Sequence, residues 1–212
     1  MTLGPRLLGP EGDWIGGDTR MARTQAADYE ERREAIVAKA AQLFAENGFL
    51  GASVLELANA CQTSKSLLYH YYPSKEDVLY AVMASHIDRL VADVDQAMAV
   101  QGKPEQRLKT LLRLFMKDYV GAAAPQKVLL NDLRHLPDEK RHSIVAKQRR
   151  ILDTVQALLV ELDPTLADQK GKARAKTMLL FGMINWTGNW YDPAGPLDPE
   201  SIADMAFNLA VG

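Results

Sequence analysis

Between Ser53 and Lys75 the chain reads SVLELANACQTSKSLLYHYYPSK, and no other stretch limits the possible folds as tightly. It describes two short helices hinged by a tight turn. Ser53 can cap the first helix, which carries Val54, Leu57, Ala58 and Cys61 on one side. A turn at Gln62 and Thr63 follows. Ser64 can cap the second helix, where a spacing of four puts Leu68 and Tyr72 on the buried side and leaves Lys65, Ser66, Tyr69 and His70 roughly opposite. Pro73 stops that helix, and Ser74 caps the next with Lys75 in its first turn. Two compact helices at this spacing describe a helix-turn-helix, whose second member can lie in the major groove of DNA.

The chemistry of the outer face agrees. From Gln62 to Lys75 there are two lysines, one histidine, three tyrosines and four Ser or Thr hydroxyls, with no carboxylate among them. Phosphate oxygens are bound by cationic, hydroxyl and backbone N–H donors, and a carboxylate would repel them. The plainer alternative is a small helical hairpin whose tyrosines only cover a core. Spacing alone leaves both open.

The match between residues 32 and 79 goes further than spacing. An amphipathic helix ends in Phe44, Asn47, Gly48 and Phe49, followed by Ser53, Leu57 and Ala58. Then come Ser64, Lys65, Leu68, Tyr69, His70, Tyr71 and Tyr72, and finally Pro73, Ser74, Lys75 and Glu76. In this register the segment resembles the DNA-binding signature of the TetR family of bacterial transcriptional regulators. The resemblance implies DNA contacts from Ser53, Thr63, Ser64, Lys65, Ser66, Tyr69, His70, Tyr71 and Lys75. Two positions depart from the family pattern, which has Gly at Gln62 and an apolar residue at Thr63. Glycine reaches positive φ without strain, so Gln62 implies a different turn or a modest backbone cost.

Composition narrows the remaining classes. The chain has 25 basic and 27 acidic residues, a net charge of −2, so DNA affinity must reside in a local patch. The 47% hydrophobic content supports a real core, in one domain or in a small and a medium one. A lone Cys61 excludes an intrachain disulfide framework and a cysteine-based zinc site, and it fits a reducing, cytoplasmic setting. No apolar run approaches the ~18 residues of a membrane span. The four histidines, His70, His86, His135 and His142, show no metal-ligand spacing, and no phosphate-binding glycine loop or catalytic nucleophile motif appears. Neither catalytic residues nor a bound cofactor are therefore expected.

Residues 1–28 read as a disordered N-terminal extension, with Met21 a possible alternative start and Arg20 and Arg23 a possible minor-groove arm. A first helix is predicted over about 29–47, with Ile36, Ala40, Leu43 and Phe44 on one face and Gly48 as its stop. After the hinged pair, Leu79, Met83, Ile87, Leu90, Val94 and Met98 mark a long helix over about 75–98 that belongs to both halves. Further helices are predicted over about 104–120, 125–136, 138–162, 166–191 and 200–210, punctuated by prolines. The class is all-α, about nine helices: a three-helix DNA-binding domain over 29–76 and a ligand-binding and dimerisation bundle over 77–212.

In the segment MLLFGMINWTGNWY, Met183, Trp186 and Trp190 share one helix face, while Gly182 and Asn189, with Ala175 just before the segment, recur at steps of seven on another. Core packing and a self-complementary dimer surface fit this pattern equally. The TetR resemblance implies the latter, a homodimer formed through the last two long helices that reads a palindromic double-stranded operator. Within the bundle, Leu112, Phe115, Met116, Tyr119, Leu130, Phe181 and Trp186 can line a pocket with Asn131, His135, Gln148 and Asn185 as polar contacts; each can equally be core or surface. The tail NWTGNWYDPAGPLDPESIAD, with NDLRHLP upstream, resembles the TetR subgroup that senses acyl-CoA thioesters and controls fatty-acid, steroid or aromatic-acid degradation. That resemblance implies an acyl-CoA or aryl-acyl-CoA effector such as phenylacetyl-CoA, its phosphates held by Lys147, Arg149 and Arg150 or by Arg134 and Arg141. The expected function is a ligand-released repressor; an all-helical enzyme or small-molecule carrier is the alternative.

Overall fold

The computed structural model describes residues 16–169 and 171–212, with side chains from residue 27 onward. Nine α-helices and no strand occur among the described residues: α1 (Gly16–Gly51), α2 (Val54–Ala60), α3 (Lys65–Tyr71), α4 (Lys75–Ala99), α5 (Pro104–Gly121), α6 (Ala123–Asn131), α7 (Asp138–Leu162), α8 (Lys172–Trp186) and α9 (Pro199–Val211). The all-α reading holds.

α1 is longer than its amphipathic stripe. It begins at Gly16, so the disorder expected to residue 28 is corrected from there on; residues 1–15 and the side chains of Arg20 and Arg23 lie outside the described ones. No Gly or Pro interrupts residues 18–28, and extending an existing helix needs no second nucleus. At the other end Gly48 takes φ 71° and ψ 162°, which breaks the helix where the sequence placed its stop. The break turns Phe49 into the protein, where it is buried against the edge of Phe44 with ring centroids 5.6 Å apart.

α5 occupies the middle of the bundle. Its Leu108, Leu111, Leu112, Phe115 and Met116 are fully buried, and it packs on α4, α7 and α9. α4 joins the two halves, packing on α1 and on α5, α6 and α7. Three ion pairs in matching order, Asp77–Lys140, Asp88–Lys147 and Asp95–Arg150, run α4 and α7 side by side in the same direction. Pairs exposed to this degree add ~0–1 kcal/mol each, so they set register more than stability.

α8 is shorter than predicted at both ends. Residues Pro164–Leu166 and Thr187–Asn189 form single 3-10 turns, and Gly171 enters α8 at φ 81°. The predicted helix from Pro125 to Leu136 is likewise split: α6 stops at Asn131 and a 3-10 turn spans Leu133–His135.

Candidate nucleic-acid interface and ligand cavity

The hinged pair is built by reciprocal capping. Ser53 Oγ accepts from Glu56 N at 3.1 Å while Glu56 Oε2 accepts from Ser53 N at 2.7 Å, and these bonds hold the Glu56 carboxyl below its usual range. Ser64 Oγ accepts from Leu67 N at 3.1 Å and starts α3. The turn between them is a Schellman motif. Thr63 N donates to Ala58 O and Gln62 N to Asn59 O, both at 2.9 Å. Gln62 sits at the left-handed position with φ 52°, so the residue that departs from the family pattern takes the glycine geometry and bears its strain.

Leu68 and Tyr72 are buried beneath α3 as the spacing required, and Ser64, Lys65, Ser66, Tyr69 and His70 are exposed together on its outer side. Ser53 is exposed at the start of α2, its hydroxyl engaged in the cap. Three further residues assigned to DNA turn elsewhere. Thr63 Oγ1 is buried without a partner, and Tyr71 packs on Tyr29 of α1 with ring centroids 4.8 Å apart. Lys75 folds inward: Nζ donates to Phe49 O and lies 4.2 Å from the Phe49 ring centroid, and burial lowers its pKa. Its ammonium fastens the end of α1 to the start of α4. Arg32 and Lys39 of α1 rim the same hollow as Gln62, Thr63, Leu67 and Tyr71, beside the α3 face. Their spacing of seven signals only a shared helix face; the packing of α3 makes that face relevant.

A cavity of about 240 Å³ opens between α4, α5, α6, α7 and α8. Of the candidate ligand residues, Tyr119, Leu130, Gln148, Phe181 and Asn185 line it, together with Gln126 and Leu129 of α6. The others face elsewhere. Leu112, Phe115 and Met116 are sealed in the core, because α5 is covered on several sides. Asn131 is exposed at the end of α6, and Trp186 is 66% exposed. His135 stacks on Phe49 at 5.3 Å, and neighbouring Asp132 accepts from Phe49 N at 3.3 Å. The elements that follow the cavity wall of α6 therefore grip the same residue that Lys75 holds. Among the cations read as phosphate contacts, Lys147, Arg150 and Arg141 are engaged by Asp88, Asp95 and Asp138.

Burial raises the Tyr119 phenol, with the Gln126 amide beside it acting the other way. His86, fully buried on α4, shares a 2.6 Å hydrogen bond with Gln126, and burial lowers its pKa. A larger cleft of about 870 Å³ opens between α1, α4 and the α5–α6 junction, with Arg33, Ala41, Tyr72, Ser85, Arg89 and Ala124 among its walls.

α8 and α9 leave an apolar surface uncovered. Met178, Leu179, Met183 and Trp186 on α8, Trp190 just beyond it, and Met205 and Leu209 on α9 are all exposed. A monomer seldom leaves so many large apolar side chains in water. Among the described residues no helix is long and apolar enough to cross a membrane, and no cluster of three His, Cys, Asp or Glu could hold a metal ion.

Residues 36–82 match the family described as bacterial regulatory proteins, tetR family, and residues 101–212 match the tetracyclin repressor-like, C-terminal domain. The chain is 33% identical over 187 residues to the HTH-type transcriptional activator FasR of Mycolicibacterium smegmatis, covering 86% of this chain and 83% of that one. A TetR-family transcriptional regulator from Bordetella parapertussis superposes with a TM-score of 0.81 at 36% identity, over 84% of this chain and 93% of the other. AibR, whose structure is in complex with isovaleryl coenzyme A and operator DNA, superposes at 0.74 with 25% identity, over 85% and 98%.

Proposed function

The chain belongs to the TetR family of bacterial transcriptional regulators, and from that premise we propose that it is a cytoplasmic, ligand-released repressor acting as a homodimer on a palindromic operator. The matched relatives are regulators of transcription, not enzymes. The observation that supports DNA reading most is the outer side of α3, where Lys65, Ser66, Tyr69 and His70 stand exposed on a face without a carboxylate. Ser53 and Ser64 belong to the same surface, and Thr63, Tyr71 and Lys75 support it from within.

Residues 29–76 form the reading domain, and 77–212 the bundle that binds effector and pairs through α8 and α9. One α3 reads only a few base pairs. Two, held about one helical turn (~34–36 Å) apart or a multiple of it, match a palindrome. The effector is an acyl-CoA or aryl-acyl-CoA such as phenylacetyl-CoA, its acyl group among Tyr119, Leu130, Gln148, Phe181 and Asn185. A ligand shifts the equilibrium only if it binds the DNA-incompetent state more tightly. α6 couples the two sites: Gln126, Leu129 and Leu130 face the cavity, and Asp132 and His135 just beyond hold Phe49 against Lys75.

Fluorescence-anisotropy titration of the full-length protein on a duplex from its own upstream region, with and without phenylacetyl-CoA, octanoyl-CoA and free CoA, tests this reading. Saturable binding that a thioester releases and free CoA does not supports it. Failure to bind the duplex removes the operator assignment; binding indifferent to every thioester removes the effector. A reporter gene whose output falls on deleting the regulator would make the protein an activator.

A further inference from the structure

A single line of hydrogen bonds crosses the bundle from the interdomain cleft to the cavity. Arg89 Nη2 lies 3.3 Å from His86 Nδ1, His86 Nε2 lies 2.6 Å from Gln126 Oε1, and Gln126 Nε2 lies 3.2 Å from Asn185 Oδ1. Arg89 is on the cleft wall and Asn185 on the cavity wall.

The direction of this chain is fixed at one end. A guanidinium can only donate, so His86 Nδ1 must accept, and the imidazole must be neutral with its proton on Nε2. Its complete burial agrees with a neutral ring. Nε2–H then donates to Gln126 Oε1, which orients that amide and points its NH₂ group at Asn185 Oδ1. Asn185, its oxygen engaged, is left with Nδ2 as the end of the chain. Each orientation follows from the one before it, and together they make that end of the cavity wall a hydrogen-bond donor. Gln148 lies outside the chain and can turn either way.

The cavity has no Lys, Arg or His among its described lining residues, so a carboxylate would be buried there without a counter-charge. An ammonium, which has no lone pair to offer, would meet a donor at Asn185. Its volume of about 240 Å³ holds about eight water-sized atoms at ~30 Å³ each. We propose that the cavity takes an apolar group of about this size carrying a neutral carbonyl oxygen, and that the chain Arg89–His86–Gln126–Asn185 imposes the requirement for that oxygen. This deepens the effector assignment above and rests on it for the thioester: the acyl carbonyl is selected. Arg89, His86 and Gln126 are positioning residues, and Asn185 is the contact.

Calorimetric titration of the full-length protein with octanoyl-CoA and with S-octyl-CoA, the thioether that lacks only the carbonyl oxygen, tests the proposal. The thioester should bind about 10-fold more tightly, a difference of about 1.4 kcal/mol, and Asn185→Leu should bring the two together. The wild-type comparison stands even if the variant does not fold. Equal affinity for the two CoA compounds overturns the donor assignment while leaving the acyl-CoA reading intact. If neither binds, 4-phenyl-2-butanone and butylbenzene separate the cases. Preference for the ketone retains the carbonyl requirement and removes CoA; no preference, or no binding of either, removes the requirement itself.

Discussion

Replacing Gln62 with glycine should stabilise the protein. Gln62 is the left-handed residue of the Schellman turn, φ 52°, and it is exposed, so no buried contact is lost with its side chain. An L-residue held in this region costs roughly 1–2 kcal/mol. Glycine removes that strain but loses roughly 0.5–1 kcal/mol more chain entropy on folding. The net gain is about 0.5–1 kcal/mol, which for a chain of this length raises Tm by about 1–4 °C. Thermal melts followed by circular dichroism at one protein concentration measure it, since the proposed self-association would make Tm concentration-dependent. Gln62→Ala, which keeps the strained φ, should melt with the parent, and Gln62→Asn should fall between. A glycine variant that melts at or below the parent, or an alanine variant that gains as much, would refute the assignment of strain to this turn.

Lys75→Ala should lower stability by about 1.5–3 kcal/mol, the usual worth of a hydrogen bond from a charged donor, and leave the salt dependence of operator binding unchanged. An unchanged Tm with a shallower salt slope would place Lys75 on a phosphate instead. Asp93 has one buried, unpartnered oxygen, and burial, reinforced by Asp118, pushes its carboxyl up to about 6. The folded protein then holds the proton through a window, from roughly pH 4 to 6, in which the unfolded chain has already released it, so stability falls as pH rises through it. Asp93→Asn should abolish that decline and raise Tm at pH 7.5; an identical Tm profile would count against it. Leu179→Asp should sediment as a monomer under conditions where the parent sediments as the proposed dimer, because it places a charge in the apolar face of α8 and α9; a persistent dimer would move the interface elsewhere.

What the sequence discloses about this protein is local. Caps, turns and the outer face of α3 are set by residues within a few positions of one another, and Ser53, Ser64, Lys65, Leu68 and Tyr69 all stand where spacing put them. The inward turn of Lys75 and the docking of Tyr71 depend on Phe49 and Tyr29, many residues away. Apolar periodicity likewise marks Phe115 and Phe181 alike, although Phe115 is sealed in the core and Phe181 reaches the cavity. Gln126, in the run AAPQKVLL, resembles any surface glutamine until α4 and α8 bring His86 and Asn185 to it. After a continuous apolar stripe, the chain tightens into the 3-10 turn Thr187–Asn189, where Thr187 Oγ1 donates to Ile184 O, and α8 ends earlier than periodicity implied.

Operator binding by the α3 face is measured most directly by anisotropy titrations of Lys65→Ala and Tyr69→Ala against the parent, over a range of salt concentrations and with a melt of each variant. Both variants should keep the parental Tm and bind at least about 10-fold more weakly, about 1.4 kcal/mol. Lys65→Ala should also reduce the salt slope by about one. Parental affinity in both, with folding intact, would contradict DNA reading by α3.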